Sequence, residues 1–209
     1  MELTDYWTDP CSLLSIPWWK HRNITLPHHI KILHHRDFSP EAARGYRDSV
    51  YFRLLHDLRA IPEADCAGYL VRSISPRDGG LIASIINRSY PDIRVTRDQI
   101  LAMEKSSAYC PSLWIGIWDS LDQSPLGCAI GEYDPESGEM SIEWVQVLPP
   151  FRRRGLGKLL VCQLLRRTPE GARFATVSGQ AENESNPEAL YRSCGFSGSD
   201  YWHILTKEN

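Results

Sequence analysis

Hydrophobic and polar positions alternate in short blocks from Gly68 onward, and the blocks predict a regular succession of elements. "GYLVRSI" (68–74) reads as a strand, and "PRDGGLIASIINRSY" (76–90) as a helix weakened by its glycine pair. "TRDQILAMEKS" (96–106) reads as a second helix with Thr96 as its cap. "SLWIGIWD" (112–119) and "PLGCAIGEYD" (125–134) are two antiparallel strands, and "PESG" turns the chain into a third, "EMSIEWVQVL" (139–148). A helix then runs to about Arg167, followed by the strand "RFATVSG" (173–179), the helix "NPEALYRSC" (186–194) and the strand "DYWHILTK" (200–207). The order β-α-α-β-β-β-α-β-α-β predicts a mixed α/β sheet with helices on both faces. Upstream, residues 1–38 are irregular and rich in Trp, Pro and His. Residues 37–58 read as a helix, with Ser39 as N-cap, Pro40 in its first turn, and Tyr46, Val50, Leu54 and Leu58 at helical spacing. The chain therefore divides into an N-terminal helical and irregular extension, 1–67, and a regular domain, 68–209.

Composition narrows the class. The 209 residues are 42% hydrophobic, ordinary for a globular chain able to bury a sizeable core. The formal net charge of -3 gives no general attraction to nucleic acid, so any basic patch is local. No apolar run approaches the ~20 residues of a membrane span, and the acidic start "MELTDYWTDP" lacks the pattern of a signal peptide. Six cysteines stand far apart with no C-x-x-C pair, so neither a zinc site nor a disulfide framework is indicated. A reducing, cytoplasmic setting is the expectation.

One stretch contradicts the rules of helix design. "PPFRRRGLGKLL" (149–160) opens a helix with Arg152, Arg153, Arg154 and Lys158 at the end the macrodipole makes positive. Gly155 and Gly157 each cost that helix about 1 kcal/mol relative to Ala. An anion resolves both penalties. A glycine turn leading into a helix presents free backbone N–H groups, and a pyrophosphate held there turns the cations favourable. The known nucleotide loops do not fit: Lys158 is followed by Leu159 rather than Ser or Thr, and Gly155-Leu156-Gly157 lacks the third glycine of a dinucleotide fingerprint.

"VLPPFRRRGLG" resembles the acyl-CoA-binding signature of the GNAT acetyltransferases, V-x-P-x-aromatic-R-x-x-G-x-G, through Val147, Pro149, Phe151, Arg152, Gly155 and Gly157. A second block, "ALYRSCGF" (189–196), is similar to the family's L-Y-x-x-x-G-F ending. The resemblance covers about residues 68–209 and implies a mixed, mostly antiparallel sheet flanked by helices. It also implies acetyl-CoA as cosubstrate, with no metal, and a primary amine on a small molecule or peptide as acceptor. In such a protein acetyl-CoA enters a cleft where two parallel strands part, here 139–148 and 173–179. Backbone groups of Val145, Gln146 and Val147 would meet the pantetheine arm. Arg152, Arg153, Arg154, Gly155, Leu156, Gly157 and Lys158 would cradle the pyrophosphate. The amine attacks the thioester directly, through a tetrahedral intermediate.

That reaction needs a base for the ammonium, a donor for the oxyanion and a proton for the departing thiolate. The resemblance makes Tyr191 the general acid, while residue type alone also allows a core tyrosine. Glu143 is the candidate base. It lies four residues before Val147 on one strand, so both are expected on one face, and apolar neighbours would raise its pKa. A carboxylate in a salt bridge is the competing reading. Asn186 is carried as a cofactor contact, although the family's asparagine position holds Glu184 and Asn186-Pro187 also reads as a helix cap. "HHIKILHH" lacks ligand spacing for a metal and suggests a pH-sensitive or acceptor-contacting surface strand. Cys194 and Trp18-Trp19 read as packing residues. Residues 1–67 are expected to pack beside the core and shape the acceptor side, or to mediate a homodimer. A non-catalytic CoA-binding sensor is the alternative function. Binding of nucleic acid through the arginines ranks last.

Overall fold

In the computed structural model, which describes residues 1–90 and 93–207, the blocks found from residue 68 onward fold as expected. The N-terminal part begins with three short helices, α1 (Leu3–Thr8), α2 (Pro10–Leu13) and α3 (Trp18–Asn23). Two strands follow, β1 (Ile30–His34) and β2 (Tyr46–His56). Then come β3 (Tyr69–Ser73), α4 (Gly79–Ser89), α5 (Arg97–Ala102), β4 (Tyr109–Asp119), β5 (Pro125–Asp134) and β6 (Glu139–Val147). The chain ends with α6 (Leu156–Arg166), β7 (Phe174–Gln180), α7 (Pro187–Ser193) and β8 (Ser197–Lys207).

The predicted helix over 37–58 is a correction. Its second half is β2, an eleven-residue strand. A spacing of four residues is two strand periods as well as about one helical turn, so Tyr46, Val50 and Leu54 fit both. Gly45, at φ 77, turns the backbone away from any helix just before the strand. "VYF" (50–52) is β-branched and aromatic, which favours a pleated surface. Ser39 does accept from the Ala42 backbone N–H at 3.2 Å, but the capped segment is only a turn.

All eight strands form one sheet in the order β1-β8-β2-β7-β6-β5-β4-β3. Every neighbouring pair is antiparallel except β6 with β7. The sheet is therefore mixed and mostly antiparallel, flanked by helices, as anticipated. Residues 30–34 and 46–56 are strands of that same sheet: β2 lies between β7 and β8 and pairs with both.

Alternation along the strands sorts the two faces. Met140, Ile142, Ala175 and Val177 point to one face and pack with Leu156, Leu159 and Leu160 of α6 and Tyr191 of α7. On the other face, Trp114, Cys128 and Ile130 pack with Ile82, Ile86 and Ile100 of α4 and α5. Phe174 on that same face packs with Tyr6, Leu14 and Trp18 of the N-terminal segment. The helices of this second face thus come in two groups, and β6 runs between them.

A buried ion pair ties the N-terminal group to the sheet. Arg53 and Glu139 are each 1% exposed, and Arg53 Nη2 donates to Glu139 Oε1 at 2.9 Å. Glu139 also accepts from Thr176 Oγ1 (2.5 Å), Tyr6 Oη (2.7 Å) and the Trp18 backbone N–H (2.9 Å).

Candidate active site

The parallel pairing of β6 with β7 runs only from Glu139↔Phe174 to Ile142↔Val177. Beyond those four rungs the strands part, and β7 continues alongside β2 to Gln180. A β-bulge sits at the same point. Trp144 faces Ile130 and Ile142 faces Gly131 on β5, which leaves Glu143 as an extra residue without a partner. Past the bulge, the Leu148 N–H turns to the Leu126 carbonyl on the β5 side, and the Val147 carbonyl turns the other way to Arg152. Strand alternation then aims the N–H groups of Val145 and Val147 into the opening between β6 and β7. Gln146 differs: its side chain is buried and donates from Nε2 to Tyr90 Oη at 3.0 Å, joining β6 to the residue that ends α4.

The glycine turn lies where β6 leaves the sheet. Gly155 caps α6 with φ 81 and no side-chain cap, and Arg153 is also left-handed at φ 64. The first intrahelical donor is the Leu159 N–H, to the Gly155 carbonyl. Among the described residues, the N–H groups of Leu156, Gly157 and Lys158 therefore have no partner at the positive end of an eleven-residue helix. A Cβ on Gly155 would meet nothing within 4 Å, so the space before the turn is open. A Cβ on Gly157 would lie 3.1 Å from Leu190 Cδ2, so that glycine lets α7 pack close to α6.

The cations divide into two roles. Arg152 donates from Nε to the Val147 carbonyl (3.1 Å) and from Nη2 to the Ser89 carbonyl (2.8 Å), and so braces the turn against the end of α4. Arg153 and Arg154 are exposed, with Arg154 over the Phe151 ring at 5.4 Å. Among the described residues no carboxylate pairs with Arg153, Arg154 or Lys158. Free N–H groups, unpaired cations and open space suit a diphosphate.

Tyr191 is 8% exposed, in the α6/α7 core beside the opening. Among the described residues its hydroxyl has no hydrogen-bond partner. Burial, helped by the Tyr90 phenol and the Cys194 thiol, pushes its pKa above the ordinary phenol value. It stays protonated at neutral pH and can donate. Asn186 accepts the Ala189 N–H at 3.2 Å and is the N-cap of α7. The helix-cap reading of Asn186-Pro187 describes its side chain.

Glu143 does not share a face with Val147. The bulge turns it beside Ser141, whose Oγ donates to Glu143 Oε1 at 3.2 Å, whereas Val145 and Val147 pack on the α6 side. Glu143 thereby lies in the gap between the two helix groups of the second face. Its partner there is Lys20 of α3, paired with Glu143 Oε2 and 3.5 Å from Glu132 Oε2. Glu132, opposite Ser141 on β5, is 5% exposed. Burial and the neighbouring Glu143 push its pKa up to about 8, against the pull of Lys20. Glu132 does carry a sequence signal of its own: it follows Cys128 and Ile130 at strand period, a carboxylate on an apolar stripe. A cavity of about 150 Å³ adjoins this group, lined by Lys20, Arg53, Ser141, Glu143, Thr176 and Ser178 with the 15–17 turn.

The remaining candidates lie elsewhere. His34 pairs with Asp200 (3.0 Å) and His203 with Asp48 (2.7 Å), while His35 stacks on His203. These contacts lie on β1, β2 and β8, across β7 from the opening. Trp18 packs on Tyr6, with ring centroids 5.2 Å apart, and Cys194 is fully buried. No described helix is long and apolar enough to cross a membrane.

A sheet with one parallel pair that parts beside an anion-ready helix start defines an acyl-CoA-binding acetyltransferase fold. The model of the acetyltransferase (GNAT) family matches residues 81–196, and the chain belongs to that family, whose members use acyl-CoA as cosubstrate. No curated protein sequence matches the chain. Among solved structures it is similar to a GCN5-related N-acetyltransferase from Sphaerobacter thermophilus, with 21% identity over 90% of this chain and a TM-score of 0.67. The chain spans 63% of that protein's length. A GCN5-related N-acetyltransferase from Kribbella flavida is 19% identical, with 86% of this chain and 68% of that one covered and a TM-score of 0.59. Diaminobutyrate acetyltransferase from Paenibacillus lautus, solved with L-2,4-diaminobutyric acid and coenzyme A, is 12% identical. It covers 69% of this chain and 96% of its own, with a TM-score of 0.52.

Proposed function

We propose that this protein transfers an acetyl group from acetyl-CoA to a primary amine. The observation that carries the reading is the first turn of α6. Its free N–H groups and the unpaired Arg153, Arg154 and Lys158 face open space beside the parting of β6 and β7. The diphosphate would sit on that turn, and the pantetheine arm would follow the N–H groups of Val145 and Val147. The thioester would then lie in the opening, with the Val147 N–H as oxyanion donor.

The acceptor would enter from the second face, between α3 and the end of α4. Glu143 would accept the amine's proton, and the elevated pKa of Glu132 gives the site a second carboxyl able to hold a proton near neutrality. Tyr191 would protonate the departing thiolate. Residues 1–67 would shape this acceptor side through α3 and the 15–17 turn. The diaminobutyrate enzyme, an amine-acetylating relative in fold, is in keeping with a cationic acceptor beside two carboxylates.

The test measures thiol release from acetyl-CoA across an amine panel, together with thermal shifts. Acetyl-CoA should raise the melting temperature, and dephospho-CoA should raise it less. Tyr191→Phe should retain the shift and lower kcat by about 100-fold or more, the range of general acid–base catalysis. No thermal shift at millimolar acetyl-CoA refutes the proposal.

A further inference from the structure

The group lying on the candidate base is the protein's own lysine. Lys20 Nζ is paired with Glu143 Oε2, and Glu132 Oε2 is 3.5 Å away. Its place is fixed through Trp18 on the same helix. The Trp18 N–H, two residues earlier, donates to the buried Glu139 at 2.9 Å, and the Trp18 ring is packed on Tyr6. The cavity that Lys20 lines is also lined by Ile142 and Val177, the last pair before β6 and β7 part. A primary amine is thus held on a carboxylate at the mouth of the opening, where the thioester would lie.

We propose that Lys20 is a self-acetylation site, modified within the same molecule. This rests on the acetyl-transfer reading above. Glu143 takes a proton from the Lys20 ammonium, and the freed electron pair forms the N–C bond to the thioester carbonyl carbon. The C–S bond breaks, its electron pair leaves on the CoA sulfur, and that sulfur takes a proton from Tyr191. The nitrogen loses two protons in all. One replaces the proton given up by Tyr191 and the other passes through Glu143 to solvent. The products are Nε-acetyl-Lys20, CoA thiol and one proton. The acetylated side chain is neutral, so Glu132 and Glu143 lose the cation that lies between them.

The full chain is incubated with acetyl-CoA and no amine, and followed by intact mass and peptide mapping. One acetyl group should add to Lys20 at a rate per molecule independent of protein concentration. Lys31, Lys105 and Lys207, remote from the opening, report background chemical acetylation and should lag at least about 10-fold. Glu143→Gln should slow Lys20 labelling by about 100-fold or more, the span of a lost general base. Lys20→Arg should remove the labelled peptide and retain the thermal shift with acetyl-CoA. Lys20 labelling no faster than Lys31, or a rate that scales with protein concentration, overturns the proposal. If acetyl-CoA still shifts the melting temperature and amines still stimulate thiol release, the transferase reading survives that failure. If neither occurs, both fall.

Discussion

Glu139→Gln is expected to destabilise the protein by about 3–5 kcal/mol, the range for removing one partner of a buried ion pair. Both members of the pair are 1% exposed. Arg53 is subject to two opposed influences: burial lowers its pKa, Glu139 raises it, and the net direction is upward. Glutamine keeps the shape but removes the counter-charge, leaving a guanidinium in a site with little water. It also turns an amide NH2 toward a pocket of donors, where Thr176, Tyr6 and the Trp18 N–H all point at the carboxylate. For a chain of this size each kcal/mol lowers the melting temperature by about 2–4 °C, so a fall of roughly 6–20 °C follows. Thermal unfolding by circular dichroism and urea titration should agree on the loss. The double variant Arg53→Met with Glu139→Gln removes both charges, keeps an amide oxygen as acceptor for those donors, and should recover at least about 2 kcal/mol of it. A single variant within about 1 kcal/mol of the parent, or a double variant no more stable than Glu139→Gln alone, would refute the reasoning.

Gly155→Ala meets no steric obstacle but forces a φ of 81 on a residue with a Cβ, a strain of about 1–2 kcal/mol. Relief by rotation would spoil the N–H cradle, so calorimetry should find acetyl-CoA binding weaker by about 10-fold or more. Unchanged affinity would disconnect that turn from the cosubstrate. The pKa of Glu132 is raised on folding to about 8, so the folded state binds more protons between its unfolded value and pH 8. Its contribution to stability is complete below that unfolded value, about 4.3, and is lost as pH rises through about 8. Glu132→Gln should therefore flatten the decline of stability between pH 5 and 8 in urea titrations, and an unaltered slope counts against the assignment.

The glycine turn proposed for the cosubstrate was legible in the sequence because its signals are local. The cations and glycines of 152–158 conflict with helix propensity within one turn. Hydrogen bonding refined the picture: Arg152 braces backbone carbonyls, and Gly157 admits Leu190. The proposed acceptor side was not legible, because its groups meet only on folding. Lys20 and Glu143 are 123 residues apart, and Arg53 and Glu139 are 86 apart. Glu143 was placed on the wrong face because a bulge adds one residue to a strand without changing its composition. Strand β2 was misread because a four-residue repeat satisfies two periods at once, and its choice of period is settled by β7 and β8 on either side.

The pairing of β1 with β8 joins residue 30 to residue 206, and β2 is bounded on both edges by strands formed near the end of the chain. During synthesis on the ribosome, β1 and β2 emerge with no hydrogen-bonding neighbours and must wait until β7 and β8 have been made. An apolar stretch such as "VYFRLL" is then temporarily available to other chains. A chaperone that holds nascent segments should accordingly bind residues 30–56 and release them only once "DYWHILTK" has cleared the exit tunnel.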